Sequence, residues 1–167
     1  MGYSLVFDGD DEAQVADAAA FDVTDITAEL WVYADTAPAT WTSLLRKLDH
    51  FQIGFNGAGE LYVALGTVGS GGFSSIAAAG YTLPTGQWVH LAFSYDSSTG
   101  ILQAWSNGNR VINDDSASYS GSVNDYGDNP LHVGADDATG AAGFTGQIDE
   151  IRVSSTPEMV RITVDED

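Results

Sequence analysis

The chain of 167 residues has no cysteine, so neither a disulfide nor a thiolate zinc site holds its fold, and no redox compartment can be read from it. Basic residues are nearly as scarce: five Lys and Arg face 24 Asp and Glu, the net charge is −19, and Lys47 is the one lysine. Such a chain repels phosphate backbones and anionic lipid, which argues against nucleic-acid and membrane-surface roles. No stretch approaches the roughly 18 consecutive apolar residues of a membrane-spanning helix, so no membrane insertion is expected. The opening "MGYSLVFDGD" lacks the basic and apolar regions of a secretion signal. The expectation is an excised domain, or a protein that reaches its destination without a signal of its own. Motifs of catalysis are missing too: there is no HExxH, no GxxxxGK[ST] and no serine elbow framing His50, His90 or His132.

What is present is alternation. With 44% hydrophobic residues the chain is long enough for one domain with a core and short for two. Period-2 runs separated by Gly, Asn, Asp and Ser recur throughout, and convincing helices are absent. "DITAELWVY" (25–33) sets Ile26, Ala28, Leu30 and Val32 on one face and Thr27, Glu29, Trp31 and Tyr33 on the other. Further strands are expected at 4–8, 41–47, 50–56, 60–66, 87–96, 101–111, 130–135 and 143–155. "GAG" (57–59) and the "NG" at 107–108 mark hairpins, 68–80 reads as loose, and 113–129 reads as a polar surface loop. Some dozen short strands imply two packed antiparallel sheets, an all-β sandwich or jelly roll.

The acid excess is 18 Asp to six Glu. Salt at roughly molar strength screens such repulsion within about 3 Å, which suits a halophilic or marine source. Aspartates are also hard-oxygen ligands suited to calcium, and plain solubility accounts for the bias as well.

Taken in order, "LVFDG", "ITAELWVY", "LLRK", "LPTGQWVHLAFSYDSSTG", "NGNRV", "LHVGA" and "FTGQIDEIRVS" resemble the successive blocks of the laminin-G-like jelly roll in the concanavalin A-like lectin and glucanase superfamily. The resemblance implies a domain over residues 1–154 and two curved antiparallel sheets with first and last strands paired; the remaining 155–167, ending "VRITVDED", read as a C-terminal strand or tail. It further implies binding of carbohydrate, protein or a cell-surface ligand, often with calcium, in an extracellular or cell-surface setting; the missing secretion signal and the halophile-like charge add a virion setting as an expectation. "WSNG" stands where the family often has "YVDG", and "SSTPEM" where it often has "YNRAL". These departures bear on a local ligand set and on how the domain joins a neighbour.

Glucanases of that superfamily carry catalytic acids two apart on one strand. In "GFTGQIDEIRVSS" Asp149 and Glu150 are adjacent, and strand parity sends them to opposite faces. Retaining hydrolysis needs two carboxyls about 5–5.5 Å apart around one bond, so an enzyme is not expected. Parity instead places Glu150 with Arg152, and Glu29, His90, Glu150 and Arg152 are expected as a structural polar cluster, because a half-buried arginine needs an acid partner. By the family's pattern Asp149 lies beside the strand carrying Asp8. Asp8, Asp10 and Asp11 crowd one turn, and with Asp149 they are the candidate calcium ligands; the plainer reading is turn capping.

For ligand binding the candidates are Asp136 and Asp137 in "GADDATG", with Trp105, Tyr119 and Tyr126, expected to be exposed beside polar loops. Trp31, Tyr33, Trp41, Trp88 and Tyr95 complete the aromatics from which a sugar platform is drawn, but tryptophans at strand centres, Trp88 after the "PTGQ" turn above all, are expected in the core. The leading reading is a non-catalytic recognition or adhesion module for a glycan or other surface ligand. The alternative is a structural or decoration protein of a virion or surface layer, for which a homo-oligomer is compatible.

Overall fold

The computed structural model describes residues 3–67, 72–114, 119–124, 127–137 and 139–156. Twelve strands follow one another: β1 (Leu5–Asp8), β2 (Ala13–Val15), β3 (Ile26–Tyr33), β4 (Thr42–Lys47), β5 (Phe51–Phe55), β6 (Leu61–Thr67), β7 (Gly72–Ala77), β8 (Trp88–Asp96), β9 (Ile101–Ser106), β10 (Asn109–Asp114), β11 (Leu131–Val133) and β12 (Thr145–Ser154). They form two six-stranded sheets, β1-β12-β3-β8-β9-β10 and β2-β11-β4-β5-β6-β7, paired antiparallel throughout. The first and last strands are neighbours, Leu5 opposite Ile148. Among the described residues the one helical turn is a 3-10 turn at Ala19–Phe21.

Alternation builds the core between the sheets. Ile26, Ala28, Leu30 and Val32 are fully buried on β3, while Trp31 and Tyr33 between them stay half-exposed. From the second sheet Phe51, Ile53, Phe55, Leu61, Val63 and Leu65 meet them, with Phe51 and Phe93 in contact across the sandwich at 5.9 Å between centroids. Polar groups are buried as well, a charged one among them: Lys47 is buried, and its ammonium donates to Asp17 and to the carbonyl of Asn129 at 2.6 Å. A buried lysine needs such partners to remain compatible with a low-dielectric interior.

Three expectations are revised. Residues 72–77, read as loose, form an edge strand, and 13–15 form another. The stretch 113–129 is not a plain surface loop in its described parts: Tyr119, Val123 and Asn124 are buried, and Val123 bridges Thr67. The third concerns β12. Asp149 pairs with Trp31 but Arg152 pairs with Glu29, so Glu150 and Ile151 together oppose Leu30. This is a β-bulge, with Glu150 at φ +47°.

Candidate functional site

The outward face of the second sheet carries the richest mixture of groups. Along one rung lie Gln14, His132, Arg46, Gln52, Ala64 and Ser75, each alternating with core residues and so projecting away from the sandwich. Between Ser43 and Tyr62 the next rung has Gly54 at its floor. A Cβ at Gly54 would stand 2.2 Å from the Thr42 carbonyl oxygen, so only glycine lets β4 run this close.

A cavity of about 260 Å³ opens over this face, lined among others by Trp41, Arg46, Gln52, Tyr62, Phe73 and Asp136. Its polar centre is one connected set. Arg46 Nη1 meets Asp136 Oδ2 at 2.9 Å, and Gln52 Nε2 donates to Asp136 Oδ1 at 2.7 Å and to Ser43 Oγ at 3.2 Å. Asp136 reaches in from the loop after β11, closed by its own N–H on the Ala141 carbonyl. Arg46 Nε is buried without a partner among the described residues. Around this centre stand aromatic rings: Trp41 packs edge-on against Tyr62 at 5.2 Å, and Trp41 and Phe73 remain 58% and 39% exposed. Burial, and after it the Asp136 charge, pushes the Tyr62 phenol far above its ordinary value, with Arg46 opposing, so the hydroxyl keeps its proton. Exposed rings beside convergent donors and acceptors suit a rigid ring that has both an apolar face and hydroxyls.

Of the expected ligand residues, Asp136 lies in this cavity. Asp137 next to it turns away, its Oδ1 accepting from Thr139 N and Thr139 Oγ1 at 2.8 and 2.6 Å; these bonds hold its carboxyl below the ordinary value. Trp105 and Tyr119 are not exposed as expected: they are 6% and 2% accessible. Trp105 sits in the strand ladder between Ala92 and Arg110, and Tyr119 packs on Tyr95, with nearby Val123 bridging Thr67. Tyr126 lies outside the described residues. Sequence alone does not single out Arg46, Gln52, Tyr62 or Phe73; the first three carry a signal in the strand alternation of "LLRK", "HFQIG" and "ELYVAL", read outward instead of inward, and Phe73 in "GFSSIA" carries none.

On the other sheet, the polar cluster forms in part. Glu29 Oε2 lies 3.3 Å from His90 Nε2 and Glu29 Oε1 accepts from Arg152 at 3.4 Å. Glu150 is not a member. The bulge breaks the parity on which its placement with Arg152 rested, and brings Asp149 to the outward face opposite Trp31. Asp149 and Glu150 line one shallow cavity together with Trp31 and Trp88. The expected split of the two acids to opposite faces is thereby overturned.

The acid turn stands apart from both. Carboxylate oxygens of Asp8, Asp10 and Asp11 lie within 4.8 Å of one another, all three residues exposed. Asp8 Oδ1 accepts from Asp10 N, and Asp11 Oδ2 from Asp8 N. A side-chain hydrogen bond between Asp8 and Asp10 lowers the first carboxyl and raises the second. Asp149 is not in this group: Asp8 pairs with Thr145, four residues before it, about 13 Å along the strand.

With the two sheets, the closing pair of end strands and an outward cavity in place, the architecture is that of a lectin-like jelly roll. The laminin-G family model described as the Concanavalin A-like lectin/glucanases superfamily matches residues 7–157, and the chain belongs to that family. No curated protein sequence matches it. Among solved structures, a protein from Bacteroides ovatus proposed to bind carbohydrate superposes with a TM-score of 0.71 at 20% identity, over 93% of this chain and 44% of its own. Domain 4 of AbnA, an extracellular GH43 arabinanase of Geobacillus stearothermophilus solved with arabinotriose, gives 0.64 at 22% identity, over 90% and 69%. The CBM40 module of the Ruminococcus gnavus IT-sialidase, bound to α2,6 sialyllactose, gives 0.65 at 12% identity, over 93% and 91%. The chain thus spans less than half of the Bacteroides ovatus protein. These likenesses are likenesses of fold.

Proposed function

We propose that the protein is a non-catalytic glycan-binding module whose site is the outward cavity of the second sheet. The observation that carries the reading is the Arg46–Asp136–Gln52 set flanked by Trp41, Tyr62 and Phe73. Indole and phenyl faces stack on the apolar side of a sugar ring, while guanidinium, amide, phenol and carboxylate meet its hydroxyls. Because Asp136 neutralises Arg46, the site favours a neutral sugar over a carboxylated one. The solved modules of this fold that hold arabinotriose or sialyllactose support the reading by analogy. In this reading the module acts outside the cell or on its surface.

Calcium belongs to this proposal as a structural ion on the Asp8 turn. Three clustered carboxylates are the right donor type, and calcium's remaining ligands, of six to eight oxygens, would be water and backbone carbonyls. The sugar site contains no part of that turn.

The test is titration calorimetry against neutral and sialylated oligosaccharides, with Trp41→Ala as the control. Binding lost in the variant is expected. No binding by the native protein, or release of reducing sugar from a bound oligosaccharide, would overturn the reading. Sedimentation in low and high salt addresses the assembly alternative, to which a stable symmetric oligomer without sugar affinity points.

A further inference from the structure

The cavity on the opposite face, on the first sheet, has a different chemistry. It encloses about 360 Å³ and is lined by Trp31, Trp88, Asp149 and Glu150. Each tryptophan is backed by a second ring: His90 lies 5.2 Å from Trp31, and Tyr33 lies 5.8 Å from Trp88. Trp88, expected in the core, pairs with the outward-facing Tyr33 and is instead 38% exposed, so an indole surface remains open to a ligand. Both acids reach the cavity because of the β12 bulge, in which Glu150 takes φ +47° and its N–H donates to Asp149 Oδ1 at 2.8 Å. Neither carboxylate is ion-paired among the described residues, since Arg152 is engaged by Glu29.

From this lining we infer a binding site for a compact organic cation of the methylated-ammonium class. The faces of indoles carry negative quadrupole potential and attract a cation that lies over them, Trp more than other rings. Two carboxylates add full negative charge at the same cavity, and the chain's charge of −19 raises the local concentration of any cation. A sugar fits less well. The second-sheet cavity offers guanidinium and amide donors beside its carboxylate, whereas here the charged groups are acceptors only, and covering two unpaired carboxylates with a neutral ligand is costly. A bare metal ion fits less well still, because calcium takes six to eight oxygens and half of this lining is indole. A methylated ammonium keeps its charge with little hydration and presents methyl groups to the rings. The site is separate from the proposed glycan site, and the two stand or fall independently.

The experiment is calorimetric titration of the whole protein with choline chloride, and in parallel with its uncharged isostere 3,3-dimethylbutan-1-ol, at matched ionic strength held with sodium chloride. Choline is expected to saturate one site, with the isostere at least fivefold weaker, the range that cation–π and charge terms give at a half-exposed site. Trp88→Ala is expected to weaken choline about fivefold. Glu150→Gln, at an exposed position that leaves the core untouched, is expected to weaken it about threefold with an unchanged melting temperature. Trp41→Ala, on the other sheet, is expected to leave choline binding unaltered. Equal affinity for choline and the isostere, no saturation by choline up to about 50 mM, or unchanged binding in Glu150→Gln would each overturn the inference.

Discussion

Replacing Asp136 by Asn tests the proposed sugar site at its charge balance. The substitution keeps the side chain's shape, and its amide oxygen still serves Gln52 Nε2, which now donates to Asp136 Oδ1 at 2.7 Å. The backbone contact of Arg46 to the Asp136 carbonyl at 3.5 Å is also retained. What is lost is one negative charge 2.9 Å from the guanidinium. A ligand carboxylate about 7 Å from Asp136, at an effective dielectric of about 40, is repelled by roughly 1 kcal/mol, which the substitution removes. The freed guanidinium adds a charge-assisted hydrogen bond, about 1 kcal/mol after allowance for a partly wet site. The combined swing of roughly 2 kcal/mol is about thirtyfold in favour of an acidic over a neutral sugar. The assay is calorimetry with lactose and sialyllactose on both proteins. The native chain is expected to prefer lactose or its neutral relatives, and the variant to approach or reverse that preference while its affinity for the neutral sugar changes less than fivefold. An unchanged ratio refutes the role of the ion pair, and absence of binding by both proteins refutes the site.

Four other outcomes follow from separate features. Lys47→Met removes the buried donation from the ammonium to the Asn129 carbonyl, and a loss of about 2 kcal/mol, or about 6 °C in melting temperature, is expected by calorimetry. The hydrogen bond from Lys47 holds the Asp17 carboxyl below its ordinary value near 3.8, so its stabilisation is present above that pH and lost as pH falls through the lower folded value; Lys47→Met should flatten that acid limb. Glu150→Gly relieves a left-handed backbone and is expected to raise the melting temperature by about 2 °C, net of glycine's greater unfolded-state entropy; a decrease would mean that the bulge is held by the glutamate side chain. Melting temperature should climb between low salt and about 1 M potassium chloride, because a charge of −19 repels itself, and a flat profile would sink the halophilic reading. Millimolar calcium is expected to raise the melting temperature relative to chelator, and Asp10→Asn to abolish the difference; equal curves dispose of the ion.

Most strands were legible because alternation is a local property. Ile26, Ala28, Leu30 and Val32 face inward as their spacing demands, and the pairing of β1 with β12 follows the family resemblance. The short edge strands β2 and β7 were not seen, since Ala13–Val15 is too brief for a pattern and "GFSSIA" has the small polar residues of a loop. Tyr119 departs from its expected exposure for another reason: a residue beside polar loops is exposed only if it stays off the sheets, and here Tyr119 packs on Tyr95 while Val123 bridges Thr67; Trp105 is buried in the β8–β9–β10 ladder.

The site shows where local reading stops. Asp136 was picked because two acids share a rim loop, and the structure sends only one of them to the cavity, a difference no spacing encodes. Arg46, Gln52, Tyr62 and Phe73 come from four strands, and only the sheet register puts them around one space. The bulge at Glu150 is the sharper case. A non-glycine residue with positive φ is uncommon and is tolerated where the surroundings determine it. One extra residue inverted the parity of everything before it on β12, so Asp149, expected beside the Asp8 turn, stands instead against Trp31. The same residue that breaks the strand parity places both acids at the tryptophans. It follows that the bulge, more than the identity of the acids, makes this cavity. A deletion of Ile151 that restores regular pairing should therefore remove choline binding while sugar binding on the opposite sheet persists, and coupled loss of both in a folded variant would show that the two faces are not independent.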